Sequence, residues 1–227
     1  MYDREMVGIK PKEKVKIEWS SDFAYAIGLL VTDGSLSKDG RHISFTSKDR
    51  QLIKVFLKSL KIDCHIGKKA SGSQREKKYF VVQIGDVIFY RFLVSIGLMP
   101  NKTKIIGEVQ VPHKYFMDFL RGHLDGDGTF YSYWDPRWKS SYMFYTAFVS
   151  ASTEHILWLQ RALNEKMGIR GHISRAKGKS WSQLKYAKRE SLKLLKYIYY
   201  SSSVACLERK RLKINKALHT IGIVIKN

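Results

Sequence analysis

The stretch "LRGHLDGDGTF", Leu120 to Phe130, runs helix-compatible apolar residues straight into two aspartates interleaved with glycines. An echo, "AIGLLVTDGSL", Ala26 to Leu36, carries one aspartate where the other has two. Carboxylates grouped in this way can hold a hard divalent cation, which takes oxygen ligands. Two plainer readings compete. A lone Asp-Gly is ordinarily a turn, and "DGDGTF" looks like the middle of an EF-hand calcium loop. The calcium register fails: with Asp125 and Asp127 at loop positions 3 and 5, positions 1 and 12 fall on His123 and Trp134.

Internal repetition chooses between the aspartates. Gly28 and Gly122 lie 94 positions apart, and so do Asp33 and Asp127, so Asp125 faces Val31. Further matches follow: the segments from Phe45 and Phe148 at 103, "CHIGKK" and "GHISRA" at 107, and Lys102 and Lys210 at 108. Separations that grow steadily are what loop insertions in one copy produce.

Each copy reads as helix, strand, strand, helix, strand, strand, helix, an α+β pattern. "RHISFTS", "KKYFVVQIG" and "YMFYTAFVS" are rich in β-branched and aromatic residues and read as strands. Ser20 or Ser21 caps the first motif helix and Gly34 stops it; the second is expected from about Lys114 to Gly128. Ala24, Gly28 and Thr32 in one helix, and Gly122 and Gly126 in the other, recur at four-residue spacing. Such faces let two backbones approach closely. Each helix then ends on an aspartate, against the negative end of its macrodipole, at a local cost of up to about 1 kcal/mol. Packing the helices side by side adds like-charge repulsion, which a divalent ion would offset. Residues 1–15 read as a basic lead-in, 16–108 as the first half, and 109–227 as the second half with a tail; "IIGEVQVPHKY" connects the halves.

A formal net charge of +21 and a pI near 9.9 call for a polyanionic partner. The longest apolar run, "FAYAIGLLV", is too short to cross a bilayer. With a charged N-terminus and no lipidation motif, an intracellular location is expected. Cys64 and Cys206 stand apart, without zinc-ligand spacing, and read as reduced thiols.

The paired motifs resemble those of single-chain LAGLIDADG homing endonucleases, and with the elements that follow each motif the resemblance covers nearly the whole chain. It implies two pseudo-symmetric αββαββα halves packed through their motif helices, with the β-sheets forming a saddle for DNA. It implies that Asp33 and Asp127, together with Gly126 and Thr32, form the site for catalytic Mg²⁺, for which Mn²⁺ or Ca²⁺ could substitute in binding. Asp125 takes the motif's earlier acidic position, structural in the family. Lys102 and Lys210 match the ring of basic residues near the scissile phosphate; their plain alternative is a solvated face of a basic protein. Ser47 and Ser150 fall where relatives often carry glutamine. The implied reaction is a staggered double-strand break, one phosphodiester in each strand, by a monomer.

Basic residues cluster in the expected hairpins, interleaved with polar and aromatic side chains. Candidates for DNA contact are Ser35, Lys38, Arg41, Thr46 and Lys48; Lys68, Lys69, Arg75, Lys77, Lys78 and Tyr79; Arg137 and Lys139 near Tyr133; and Arg175, Lys177, Lys179, Trp181 and Lys185. Two-stranded ribbons fit the major groove, while many lysines only neutralise phosphates. "ASGSQREKK" and "RAKGKSWSQ" differ between the halves, so a long, non-palindromic target is expected. The alternative is a non-cleaving binder of the same fold, an intron-RNA maturase or transcription regulator; a basic domain binding RNA non-specifically would leave the repeat unexplained.

Overall fold

A computed structural model describes residues 13–70, 76, 78–175 and 177–223. The first half contains α1 (Ser21–Asp33), β1 (Gly34–Leu36), β2 (His42–Ser47), α2 (Arg50–Leu60), β3 (Gly67–Lys69), β4 (Tyr79–Gly85) and α3 (Val87–Ser95). The second contains α4 (Phe116–Gly126), β5 (Thr129–Trp134), β6 (Tyr142–Ser150), α5 (Thr153–Met167), β7 (His172–Ser174), β8 (Ser182–Tyr186) and α6 (Lys188–Ile198). A last helix, α7 (Glu208–Thr220), follows. The chain is thus α+β, with the αββαββα order occurring twice.

Both antiparallel sheets have the same order, β1-β2-β4-β3 and β5-β6-β8-β7. Along each strand alternate residues turn to opposite faces. One face is apolar and takes the helices: Ile43, Phe45, Val82 and Ile84 in the first sheet, Phe144, Phe148 and Leu184 in the second, all buried. Phe45 stacks on Phe56 of α2 at 4.2 Å between centroids. The other face is open. It carries Ser35, Ser44 and Gln83 in one row, and Thr129, Ala147 and Lys185 in the equivalent row.

The motif helices occupy the seam between the halves. Every residue from Phe23 to Val31 of α1 is buried, which is why that segment is apolar all round. The Ser20 hydroxyl accepts from the Phe23 amide at its start, and the Gly34 amide donates to Leu30 O at its end. The second motif helix begins later than Lys114: His113–Tyr115 form a single 3-10 turn, and the α-helix starts at Phe116. Of its polar residues, Asp118, Arg121, His123 and Asp125 are buried. Each forms at least one hydrogen bond, within the seam or to an element packed behind it.

Candidate active site

The two motif helices touch backbone to backbone. A Cβ on Gly28 would stand 2.1 Å from Phe119 O, and one on Gly122 would stand 2.0 Å from Tyr25 O. No side chain fits at either position. At the foot of the seam a Cβ on Gly126 would lie 2.0 Å from Thr32 Oγ1 and 2.9 Å from Asp33 Oδ2. The end of α4 therefore rests against the Asp33 carboxylate, and Asp127, the next residue after Gly126, caps α4. The repeat spacing thus becomes a spatial pair: one aspartate at each helix end.

Two lysines close the site. Lys102, in the 3-10 turn Lys102–Lys104, is 5% exposed. Its ammonium donates to Thr32 O at 3.2 Å. Lys210, in the first turn of α7, reaches Leu124 O at 2.7 Å, Asp125 O at 2.9 Å, Gly126 O at 3.3 Å and Gly128 O at 2.7 Å. Each lysine satisfies orphan carbonyls at the end of its own half's motif helix and offsets the negative end of its dipole. The solvated-face reading of Lys102 does not describe a side chain this buried. Thr32 donates its hydroxyl to Leu29 O at 2.9 Å, so its side chain is engaged within its own helix.

These four groups perturb one another strongly. Burial, then the neighbouring charge of Asp127, raises the Asp33 carboxyl to about 7, against the pull of both lysines. Burial likewise raises Asp127, and Lys102 and Lys210 oppose it. Burial holds Lys102 down to about 8 against the attraction of Asp127 and Asp33. It holds Lys210 to about 8, with Asp125 the chief opposing charge. Two poorly solvated carboxylates brought together at adjoining helix ends form an oxygen-donor pair that suits a hard divalent ion. Among the described residues no third His, Cys, Asp or Glu joins the pair. This fits Mg²⁺, which uses one or two carboxylates and completes its shell from phosphate and water.

Asp125 serves a different end. Its carboxylate accepts from the Tyr25 hydroxyl across the seam at 2.8 Å and from the Leu207 amide at 2.6 Å. It joins both motif helices to the start of α7, the helix that carries Lys210. Arg121, fully buried, donates to Ile198 O at 2.9 Å, Ala205 O at 2.7 Å and Asp118 Oδ1 at 2.8 Å, bracing the same loop. His123 stacks on His155, their Nε2 atoms 3.1 Å apart, while His155 Nδ1 lies 2.7 Å from Gly107 O. Burial keeps both imidazoles neutral, with His155 lowered to about 4.

The sequence-derived surface residues divide by strand register. Ser35, Thr46, Lys69, Tyr79 and Lys185 stand on the open face, and Lys48 lies 5.2 Å over the Tyr79 ring. Lys38, Arg41, Lys139, Lys177 and Lys179 are exposed in the adjoining hairpin turns. Arg175 bonds Lys179 O within one such turn, and Trp181 immediately precedes β8. Lys78 pairs with Glu76, and Arg137 with Asp135. Lys68 departs from expectation: it pairs with Phe80, so the two-residue strand period turns it toward the helix side of the sheet. Ser47 and Ser150 also depart, their hydroxyls accepting from the Asp49 and Ser152 amides at 3.1 Å to bracket the starts of α2 and α5. Arg75 and Lys77 lie outside the described residues. On the open faces His42, Ser44 and Gln83, and Tyr131 and Tyr145, went unnoticed in the sequence. Alternation counted outward from Ser35 and Thr46 would have found the first of them.

The sequence matches no family model and no curated protein. Solved structures do match. Full-length DUF199/WhiA from Thermatoga maritima aligns with a TM-score of 0.54 at 16% identity, over 95% of this chain and 66% of that one. The I-LtrWI LAGLIDADG homing endonuclease, bound to target DNA, aligns at 0.57 and 12%, over 89% and 90% of the two chains. I-SmaMI, bound to uncleaved DNA target in the presence of calcium ions, aligns at 0.58 and 12%, over 90% and 92%. Two abutting motif helices, each closed by an aspartate and flanked by matching sheets, give this chain the LAGLIDADG fold in both of its halves.

Proposed function

We propose that this protein is a site-specific endonuclease for double-stranded DNA, acting as a monomer with Mg²⁺. The observation that carries the reading is the meeting of Asp33 and Asp127 at the foot of a glycine-lined helix seam. Holding two carboxylates there costs stability, as their raised pKa values express, and cation binding recovers it. The two solved endonucleases described as DNA-bound support the choice of duplex.

Asp33 and Asp127, with helix-end carbonyls, would hold the ion. The chemistry supplied by a bound Mg²⁺ is neutralisation of phosphate charge and acidification of a nearby water. Asp33 and Asp127 stand just before β1 and β5, so an ion held between them would lie where both sheets begin. Lys102 and Lys210 approach from opposite halves and stabilise negative charge that builds on the phosphate in the transition state. Because each half supplies one aspartate and one lysine, each is fitted to serve one strand. The outward sheet faces hold the duplex across the seam.

A second reading draws on the same charge balance. Two ammoniums against two carboxylates is also what a purely structural seam would use, in a binder that does not cut. Cleavage of a library of candidate duplexes in Mg²⁺ separates the two. The wild type should cut, and Asp33→Asn and Asp127→Asn should each lose about two orders of magnitude or more in rate while still binding DNA. Tight binding by the wild type with no cutting would sink the endonuclease reading.

A further inference from the structure

The separation between repeat partners rises from 94 at Asp33 and Asp127 to 103 at Phe45 and Phe148, and the added residues sit in one hairpin. The two halves match as far as the rungs that set Leu36 opposite Ile43 and Phe130 opposite Thr146. Beyond them, residues 37–42 close a tight turn in the first half, the Ser37 amide donating to His42 O at 2.9 Å. Residues 131–145 take that place in the second half. They continue the pairing for four more rungs, from Tyr131 opposite Tyr145 to Trp134 opposite Tyr142. At about 3.4 Å per residue the ribbon gains roughly 14 Å. Because β5 starts beside Asp127, the added length leads away from the aspartates.

This extension is well braced and aromatic. Trp134 packs on Tyr142 with centroids 4.9 Å apart, and the Tyr142 hydroxyl donates to Ser132 Oγ at 2.8 Å. At the tip the Asp135 amide donates to Ser141 O at 2.8 Å, and the Ser141 amide to Trp138 O at 2.7 Å. The buried Asp135 carboxylate accepts from the Arg137 amide at 2.9 Å and from its guanidinium at 3.1 Å. Tyr131, Tyr145 and Tyr133 stack along the open face, with centroids 5.2–6.4 Å apart. Even so, Tyr133, Trp134 and Trp138 are 41%, 53% and 69% exposed, three large aromatic side chains within six residues. Single exposed aromatics need no explanation, but a cluster of them marks a contact surface. Lys139, and Lys185 with its ammonium 5.1 Å over the Tyr145 ring, make this end of the sheet basic. That charge, and the unbroken run of one face from Thr129 near the aspartates to Tyr133, favour a polyanion over an apolar protein surface.

We propose that the β5–β6 extension is an arm for duplex DNA, reaching roughly four base pairs farther from the centre than the β1–β2 hairpin does. Trp138 and Tyr133 pack there on deoxyribose and thymine methyls, contacts that aromatic side chains make by shape. An arm folded before contact loses little freedom on binding. This rests on the reading above in taking duplex DNA as ligand, and it adds a contact distant from the chemistry.

The full chain would be used to select a site from randomised duplexes in Ca²⁺. Affinity and hydroxyl-radical protection are then measured on that duplex, and on versions lacking about four of the outermost protected base pairs at either end. Trp138→Ala should weaken binding to the full duplex by about tenfold, the loss expected from one buried indole, and should remove protection at one end only. Trimming that end should weaken the wild type by a similar factor, and on the trimmed duplex the variant and the wild type should bind alike. Trp138→Phe should keep most of the affinity.

Wild-type affinity of Trp138→Ala for the full duplex would overturn the proposal and give the arm to another partner. An equal loss on full and trimmed duplexes would overturn it as well. The cleavage reading fails separately. An arm-dependent footprint from a protein that never cuts in Mg²⁺ would leave the proposal standing and remove the endonuclease. Cutting in Mg²⁺ with Trp138→Ala binding as the wild type does would do the reverse.

Discussion

At Asp33 a carboxyl group sits where its charged form is poorly solvated, and this makes stability depend on pH in a definite direction. Its folded pKa of about 7 lies above the ordinary 3.8. The folded state therefore binds this proton more tightly than the unfolded one, and the group's contribution is greatest at low pH and falls as pH rises from about 4 to 7. Asparagine has no charge to lose. In EDTA at pH 8, Asp33→Asn should be more stable than the wild type by about 1 kcal/mol or more, and the gap should close toward pH 4. Thermal melts across that range check it; a variant less stable than the wild type at pH 8 would contradict the account. Mg²⁺ should raise the wild-type Tm at pH 8 and leave the Asn variant little changed, because an ion that binds only the folded site stabilises by mass action.

At the scale of elements, the contact of α1 with α4 sets the distance between the aspartates. Gly28→Ala places a methyl 2.1 Å from a carbonyl oxygen, so the helices must separate. We expect a loss of about 3 kcal/mol in denaturant unfolding, with cleavage falling even though the site residues are unchanged. This seam was legible in the sequence because the repeat is free of gaps from Gly28 to Asp33, and small residues at four-residue spacing have few other uses. The strands were legible from their β-branched and aromatic content. The burial of Lys102 was not: a lysine's type gives no sign of it, and here it comes from a 3-10 turn folding back on the end of α1. Lys68 was misjudged for a related reason, since charge suggested DNA while register decided the face. Tyr131 and Tyr145, on the open face, were hidden because aromatic residues in a strand look like core until the pairing partner is known.

For the whole molecule the governing quantity is the excess of 41 basic over 20 acidic side chains. Exposed lysines in the hairpin turns and on the sheet faces suit phosphate contacts, which release counterions on binding. If six or more phosphates are neutralised, affinity for duplex DNA should fall by about a thousandfold or more between 50 and 200 mM salt. A fluorescence-anisotropy titration measures the slope, and a flat response would rule out the phosphate account. No described helix is long and apolar enough to cross a membrane. The halves are tied together away from the seam as well. Arg209 pairs with Asp49 at 2.7 Å, and Ser152 donates to Ile106 O at 2.5 Å.

The bond from Tyr25 to Asp125 crosses the pseudo-twofold axis without a counterpart. By the repeat, Tyr25 corresponds to Phe119 and Asp125 to Val31, so the mirror contact is wholly apolar. Pairing two second halves would set Phe119 against Asp125 twice, so that each buried carboxylate would lose its tyrosine donor across the seam and keep only donors from its own half. Pairing two first halves would set Tyr25 against Val31 and strand two hydroxyls. Buried groups left without partners cost roughly 1–3 kcal/mol each, and more when charged. The halves have therefore become obligate complements: expressed as separate polypeptides, they would be matched for a heterodimer, and neither could stand in for the other.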